Sequence, residues 1–236
     1  MLSSPTKAAW LVQTDAELAQ AIRQLAGASV LAIDTEFLRE KTYRAQLCLL
    51  QLASAEQALL IDPLAGLDLR PLGELLWSPA ILKVLHAGYQ DLEILLQALG
   101  QPVAPIFDTQ LAAAVLGLPQ QVSLAVLVKH YTGVELAKID TFSDWSKRPL
   151  RVDQLGYALD DVRYLPQIHD QMQEELRVWG RESWLADEFQ TLARAEHFSE
   201  QPDDLWRRLK GSNGLSRRQL AVLRELAVWR DAAARQ

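Results

Sequence analysis

Hydrophobic and polar residues alternate along this chain with two different periods. Near the start, Asp15–Leu25 has apolar residues at helical spacing, and Thr14 before it is typical of an N-cap. Three apolar runs follow, at 30–33, 46–52 and Ala58–Ile61, and they predict β-strands. The links between these runs are short, which favours antiparallel pairing of neighbouring strands.

Beyond the third run, the pattern changes to short strands alternating with helices. Strands are predicted at 81–85 and 106–107. Helices are predicted at 69–76, Tyr89–Leu99, 109–116, from Ser123 as N-cap to about 131, 152–179 with a bend near Pro166, and 182–197. Three adjacent strands followed by this alternation predict an α/β fold, with a mixed β-sheet flanked by helices.

Pro202 and its acidic neighbours mark a predicted linker. Beyond it, residues 204–210 and 216–234 predict two helices joined by a glycine-containing segment. Two helices bury too little surface for an independent core. We therefore expect a main domain over residues 1–200 and a short helical extension over 203–236, which either docks on the main domain or begins a second one.

Composition narrows the class of protein. Hydrophobic side chains make up 49% of the 236 residues and charged ones 23%, as in globular proteins, which excludes a disordered chain, a collagen and a coiled coil. The single cysteine, Cys48, excludes a disulfide framework and a zinc site built from cysteines. No apolar run approaches the roughly 18–20 residues of a membrane span, and the N-terminus lacks the apolar segment of a signal peptide. We expect a cytoplasmic protein, and a monomer because nothing resembles a zipper or a large apolar patch.

Charge is distributed unevenly along the chain. Residues 203–236 contain eight Lys and Arg against four Asp and Glu, whereas the whole chain has a net charge of −6. The extension is therefore basic and the main domain strongly acidic, unlike a surface that binds nucleic acid by charge alone. Such a domain can act on nucleic acid if metal ions bring positive charge to the reacting phosphate.

Three groups of acidic and hydroxyl side chains are candidates for chemistry. Asp34 and Glu36 leave the same face at the end of a predicted strand, where open α/β sheets place their sites. Tyr157 and Asp161 share one face of a predicted helix, and Asp91 lies in the first turn of another, where an acid suits the helix dipole. Taken singly, each group has an equally good structural explanation. The first two acids can be solvated acids at a strand end, the second pair an ordinary pair on a helix, and Asp91 a helix cap.

Taken together, these residues resemble the DEDDy 3′–5′ exonuclease superfamily, and within it the bacterial ribonuclease D family. The shared order is Asp-x-Glu on the first strand, an Asp after a later strand, and Tyr-x-x-x-Asp on a late helix. The resemblance spans roughly residues 28–170 and includes 33–37, 43, 46–47, 51–52, 60–63, 85–88, 107–110, 144–145, 148–150 and 157–165. It implies an RNase H-like fold.

The resemblance also implies the roles of five residues. Asp34, Glu36, Asp91 and Asp161 would bind two divalent cations, Mg²⁺ or Mn²⁺, whose charge offsets their own. Tyr157 would orient the attacking water or help to deprotonate it, in a two-metal, in-line hydrolysis that releases nucleoside 5′-monophosphates from a 3′ end.

Position 157 places the chain in the tyrosine branch of the superfamily. A His five residues before the last Asp would mark the proofreading branch, but that position is Gly156. The adjacent Asp160 competes with Asp161 for the ligand role. The four-residue spacing favours Asp161 as the ligand and predicts that Asp160 is exposed.

Contacts with the substrate are a further set of predictions, made for Thr35, Phe37, His86, Lys147 and Arg148. Phe37 either wedges against the 3′-terminal base or packs in the core, and His86 either reaches the substrate backbone or makes structural hydrogen bonds. Lys147 and Arg148 contact phosphate beside a stacking Trp145, or belong to a loop that Trp145 anchors. Asp108, between a strand and a helix, is predicted to be a structural N-cap or to support the site indirectly.

The end of the chain resembles the opening helix of an HRDC domain, the helical RNA-binding module that follows the catalytic domain in the ribonuclease D family. This resemblance rests on residues 217–220 and 229–230. The expected substrates are tRNA precursors and other structured RNA 3′ ends. The alternatives are a DNA 3′–5′ exonuclease of the same superfamily, as in the Werner type, and a non-catalytic RNA-binding scaffold; a phosphate-loop NTPase is excluded because its glycine-rich motif is absent.

Overall fold

The structure is a computed structural model and describes residues 10–39, 43–137, 143–198, 205–207 and 209–234. The linker predicted at Pro202 lies outside these residues. Among them, no helix is both long and apolar enough to cross a membrane.

One mixed sheet of six strands forms the centre of the molecule, in the order β1-β4-β3-β2-β5-β6. The strands are β1 (Trp10–Val12), β2 (Val30–Leu38), β3 (Gln46–Ala53), β4 (Ala58–Ile61), β5 (Leu82–Leu85) and β6 (Ile106–Asp108). β3 pairs antiparallel with β2 and with β4, as predicted, and the other three pairs are parallel. The sequence analysis missed β1, because three residues on a sheet edge are too few to show a period of two.

Ten α-helices are described. They are α1 (Asp15–Leu25), α2 (Gly73–Leu76), α3 (Tyr89–Leu99), α4 (Thr109–Val115), α5 (Leu124–Thr132), α6 (Val152–Arg163), α7 (Leu165–Val178), α8 (Ala186–Leu192), α9 (Ala195–Phe198) and α10 (Arg217–Ala234). The predicted cap of α1 is confirmed, since the Thr14 hydroxyl accepts a hydrogen bond from the Glu17 amide.

The structure corrects four of the predicted helices. The one at 69–76 is a 3₁₀ turn followed by the single turn of α2. The long helix at 152–179 is two helices, α6 and α7, which meet at Tyr164 because Pro166 suits only the first turn of a helix. The one at 182–197 is a 3₁₀ turn over Glu182–Leu185 followed by two short helices, α8 and α9. In the helix predicted at 204–210, residues 205–207 form a 3₁₀ turn.

Helices cover both faces of the sheet. On one face, Leu31 and Ile33 of β2 belong to a core shared with α1, α2 and α3. On the other face, Ala32 packs towards α4, α5 and α7, and α6 lies over β2, β3 and β4. Successive side chains of a strand alternate between faces, so the α6 face also receives Asp34 and Glu36.

The C-terminal helix α10 contacts the main body. Ala227 and Asp231 are buried on it, and the Tyr43 hydroxyl, from the segment between β2 and β3, donates a hydrogen bond to the Asp231 carboxylate. This hydrogen bond joins α10 to the main body, and the division of the chain into a main domain and an extension stays a prediction.

Candidate active site

The first two acids come from β2, the strand that lies in the middle of the sheet. The strand continues to Leu38, so Asp34 lies at its centre and Glu36 two residues before its end, whereas the sequence analysis expected both at the end of a shorter strand. Asp34 and Glu36 are both half-buried under α6. Directly after Glu36 the pairing with β3 shifts by one residue, so that Phe37 pairs with Leu47 and Cys48 is the extra residue of a bulge. Bulges of this kind end regular pairing and redirect side chains beside active sites.

The third acid, Asp161, reaches the same place from α6. One oxygen from each of Asp34, Glu36 and Asp161 can be chosen so that all three lie within 4.8 Å of one another. Tyr157, one helical turn before Asp161, is half-buried and forms a hydrogen bond with the Asp161 carboxylate. The predicted spacing of four residues therefore brings both side chains to the acidic cluster.

The fourth acid, Asp91, lies in the first turn of α3 and is only 7% exposed. Its Oδ1 accepts hydrogen bonds from the Thr35 amide at 3.1 Å and from the Thr35 hydroxyl. Its charge acts on Asp34, Glu36 and Asp161. Thr35 thus fixes Asp91 from the strand that carries the first two acids.

The turn before α3 is held by Asp108, which confirms the prediction of a structural N-cap. Its carboxylate accepts from two amides at the start of α4 and from the amides of Ala87 (3.2 Å) and Gly88 (2.9 Å). Ala87 has a φ of +56°, an uncommon value for a residue with a side chain. A Cβ on Gly88 would lie 2.6 Å from Leu85, so only glycine allows this close approach.

Asp160 differs from the prediction that it is exposed. Its side chain is 19% exposed and forms an ion pair with Arg163. Successive side chains of a helix point about 100° apart. Asp160 therefore lies at the flank of α6, paired with Arg163, while Asp161 enters the cluster.

Burial raises the pKa values of all four acids, and repulsion by other acids of the cluster adds to the rise for Asp34, Glu36 and Asp161. Burial raises the pKa of Asp34 well above its ordinary value, and the charges of Asp91, Asp161 and Glu36 raise it further. The same causes raise the pKa of Glu36 to about 8. Burial is also the main cause for Asp161, with a pKa of about 7, and for Asp91, with a pKa of about 6.

These properties fit divalent cations. Carboxylate oxygens are the ligands that Mg²⁺ and Mn²⁺ prefer, and four acids this close together repel one another unless cations lie between them. Two divalent cations would offset the four negative charges.

Among the predicted substrate contacts, Thr35 and His86 are held by the protein itself. Thr35 is bound to Asp91, as described above. The two ring nitrogens of His86 lie 2.9 Å from the Thr109 hydroxyl and 3.0 Å from the Val122 carbonyl, which gives the ring a part in joining β5 to the segment before α5. Phe37 is half-buried just after the bulge.

Arg148 directs all five of its N–H groups to acceptors in the protein. Nε and Nη2 donate to the Asp62 carboxylate at 2.8 and 2.6 Å, Nη2 also donates to the Cys48 carbonyl, and Nη1 donates to the carbonyls of Trp145 and Lys147. The side chain of Lys147 is 78% exposed. Trp145 is buried and packs near Tyr157, so it anchors this loop, the second of the two expected alternatives.

Comparison of the amino-acid sequence with known proteins points to the same kind of site as the geometry does. A sequence profile of the 3′–5′ exonuclease family matches residues 10–177. The chain belongs to the 3′–5′ exonuclease family. Among curated members of this family, ribonuclease D of Acidiphilium cryptum is 44% identical over 225 residues, which are 95% of this chain and 57% of that protein.

Two solved structures show that other proteins share this fold. The structure of Escherichia coli RNase D, described as an exoribonuclease involved in structured RNA processing, superimposes with a TM-score of 0.91 at 38% identity and covers 97% of this chain and 61% of that one. Brucella melitensis NrnC with bound Mg²⁺ superimposes with a TM-score of 0.62 at 27% identity and covers 71% and 83%. The chain spans about three fifths of the length of the two ribonuclease D proteins.

Two buried polar residues had no role in the sequence analysis. Asp62, buried after β4, pairs with Arg148, and only the tertiary structure brings the two together. Gln51 is a fully buried amide on β3. Its signal was already present in the sequence, since it is the one polar side chain within the apolar run 47–53 apart from the thiol of Cys48.

Proposed function

We propose that this chain is the catalytic part of a metal-dependent 3′–5′ exoribonuclease that releases nucleoside 5′-monophosphates. The observation that carries the proposal is the convergence of Asp34, Glu36, Asp91 and Asp161, from three separate elements, with Tyr157 hydrogen-bonded to the last of them. The ribonuclease D relatives support RNA as the substrate.

The four acids would hold two divalent cations, either Mg²⁺ or Mn²⁺. Cations bound there polarise a phosphate and lower the pKa of water, as in other two-metal hydrolases. The hydrogen bonds from Thr35 fix the direction of Asp91, and the position of Asp161 on α6 fixes its distance from β2. The protein's own contribution is thus to preorganise four ligands on rigid elements.

Tyr157 is suited to orienting the attacking water rather than to removing its proton. Burial raises the pKa of the Tyr157 hydroxyl, and the charges of Asp161, Glu36 and Asp34 raise it further. The hydroxyl therefore stays protonated at neutral pH. Of the two roles that the family resemblance allowed, orienting the water by a hydrogen bond is favoured. Lowering the pKa of that water would then be the part of the cations.

RNA 3′ ends are the proposed substrates, with tRNA precursors among them. Phe37, half-buried after the bulge, is the proposed contact for a terminal base, and the exposed Lys147 is the proposed phosphate contact. Contacts to substrate from Thr35, His86 and Arg148 stay predictions, since hydrogen bonds within the protein already engage all three. A monomeric state and a cytoplasmic location also stay predictions.

The test is digestion of a 5′-labelled RNA that has a tRNA-like body and a 3′ trailer. Reactions with Mg²⁺, Mn²⁺ or EDTA run beside the same sequence as DNA and an RNA blocked by a 3′-phosphate. We expect a metal-dependent ladder that shortens from the free 3′ end of the RNA. Equal digestion of the DNA would broaden the substrate to nucleic acids in general, and binding without any cleavage would favour a non-catalytic scaffold.

Two neighbouring acids provide a matched pair of variants for this test. Asp161→Asn removes a proposed ligand and should abolish the ladder. Asp160→Asn changes the adjacent acid, which pairs with Arg163, and should leave the ladder nearly intact. Equal activity of the two variants would remove Asp161 from the site.

A further inference from the structure

Gln51 is a buried amide beside the acidic cluster. It lies in the middle of β3 with no solvent exposure. Among the described residues, neither its Nε2 nor its Oε1 has a partner. A buried amide that makes no hydrogen bond is costly, and proteins rarely keep one without a reason.

The register of the sheet indicates what this amide faces. Gln51 lies directly opposite Asp34 on β2 and directly opposite Leu60 on β4. Residues opposite each other in an antiparallel pair share a face, with Cβ atoms about 4.5–5.5 Å apart. Along β3 itself, the residues that share this face are Leu49 and Ala53. Within this set, Asp34 is the single side chain that can hydrogen-bond with an amide.

We propose that Gln51 is a positioning residue for Asp34. Its amide donates a hydrogen bond to the Asp34 carboxylate when that carboxylate serves as a cation ligand, and so fixes the direction of the carboxylate. Carboxylate ligands of metals are generally hydrogen-bonded by a supporting group, and loss of that group weakens metal affinity about 10–100-fold. This inference rests on the proposed function, because it assumes a divalent cation at Asp34.

Gln51→Met tests this proposal through two effects, one on the stability of the metal-free protein and one on its affinity for Mn²⁺. Methionine has nearly the shape of glutamine but no amide, so the variant removes an orphaned polar group from the metal-free protein. We expect an unfolding temperature in EDTA equal to or above that of the wild type. We also expect Mn²⁺ affinity, measured by calorimetry without substrate, to fall about 10–100-fold, and exonuclease activity to recover at high Mn²⁺.

Leu60→Met is the matched control, since it changes packing on the other side of Gln51 without touching a polar group. It should leave Mn²⁺ affinity unchanged. Gln51→Asn is the second variant: it keeps an amide but withdraws it by one methylene, and it too should weaken Mn²⁺ binding. It decides the matter if Gln51→Met does not fold.

The outcomes separate this inference from the proposed function. Wild-type Mn²⁺ affinity in Gln51→Met or Gln51→Asn would overturn the role of Gln51 while the exonuclease proposal stands. A lower unfolding temperature in EDTA with unchanged affinity would make Gln51 a residue of the fold alone. If the wild type itself bound no Mn²⁺ and digested no RNA, both proposals would fail together.

Discussion

Tyr157 is the residue whose chemistry depends most on its surroundings. A free phenol is already protonated at neutral pH and is therefore a poor base. Burial and three nearby carboxylates raise the pKa of the Tyr157 hydroxyl further. Its hydroxyl can therefore donate a hydrogen bond across the whole neutral range of pH. A residue with this property contributes orientation, which a phenyl ring of the same shape cannot replace.

Tyr157→Phe should slow the chemical step about 10²–10⁴-fold and leave RNA affinity unchanged, because only the hydroxyl is lost. Single-turnover kinetics with RNA would measure the rate, and equilibrium binding in Ca²⁺ would measure the affinity. Tyr164→Phe removes a hydroxyl from the junction of α6 and α7 and serves as the control. A wild-type rate in Tyr157→Phe would remove Tyr157 from the proposed reaction.

At the scale of elements, the loop before α6 determines where Tyr157 and Asp161 lie. Arg148 ties that loop to β3 through the Cys48 carbonyl and to the end of β4 through Asp62. Burial alone would raise the pKa of Asp62, but hydrogen bonds from Arg148 and Gln13 outweigh it, so the pKa is lowered. The lowered pKa means that Asp62 stabilises the fold at neutral pH and loses that effect as the pH falls through its folded pKa.

Arg148→Met should lower the free energy of unfolding by about 3–5 kcal/mol, because it leaves the Asp62 charge buried without its partner. Urea unfolding at pH 7 would measure the change. Adding Asp62→Asn to the same chain should restore part of the loss, since no unpaired charge then remains and the side-chain oxygen can still cap Leu64. A loss below about 1 kcal/mol, typical of exposed pairs, would contradict this account.

Much of the element pattern was predictable from the sequence. The bounds of α1, α3 and β4 agree with the prediction because each has a clear period and a cap or turn at its ends. The bend near Pro166 was predicted, but its division of the segment into two separate helices, α6 and α7, was not, and neither was the 3₁₀ turn before α2, because apolar residues at helical spacing continue through both. β1 depends on its pairing with β4, which lies about 50 residues away.

At the scale of the whole molecule, the acidic cluster opposes folding when no cation is bound. Three of its acids, Glu36, Asp91 and Asp161, have folded pKa values of about 6 to 8, above the value near 4 of an unfolded chain, and the pKa of Asp34 is raised as well. The folded state therefore binds more protons than the unfolded state between these limits. The free energy of unfolding of the metal-free protein should consequently fall as the pH rises from about 4 to about 8.

Urea unfolding between pH 5 and 8.5, in EDTA and in Mg²⁺, would measure this dependence. Mg²⁺ should remove most of the decline, because a bound cation stabilises the folded state and favours the ionised acids. Asp34→Asn, which deletes one raised pKa, should flatten the decline in EDTA. Stability that rises with pH in EDTA over this range would refute the link between the cluster and folding.

The C-terminal extension should affect binding more than chemistry. Deleting residues 203–236 removes a segment with a balance of +4, and such charges contribute salt-dependent affinity for RNA. We expect weaker RNA binding and a single-turnover rate at saturation within a few-fold of the full chain. The full chain with Arg217→Gln and Arg218→Gln is the control for charge alone. A folded but inactive truncated protein would show instead that α10 supports the site.

The sequence by itself determined the chemistry of this protein, and the tertiary structure decided how that chemistry is held. The pair Asp34 and Glu36, the pair Tyr157 and Asp161, and the periods of strands and helices are local patterns and are visible in the sequence, and the family resemblance joins these pairs to Asp91. The bond from Thr35 to Asp91 spans 56 positions and that from Arg148 to Asp62 spans 86. Contacts of this kind depend on strand order and helix packing, which no local pattern contains. The packing of α6 on the sheet likewise places Asp161 in the cluster and Asp160 at its flank.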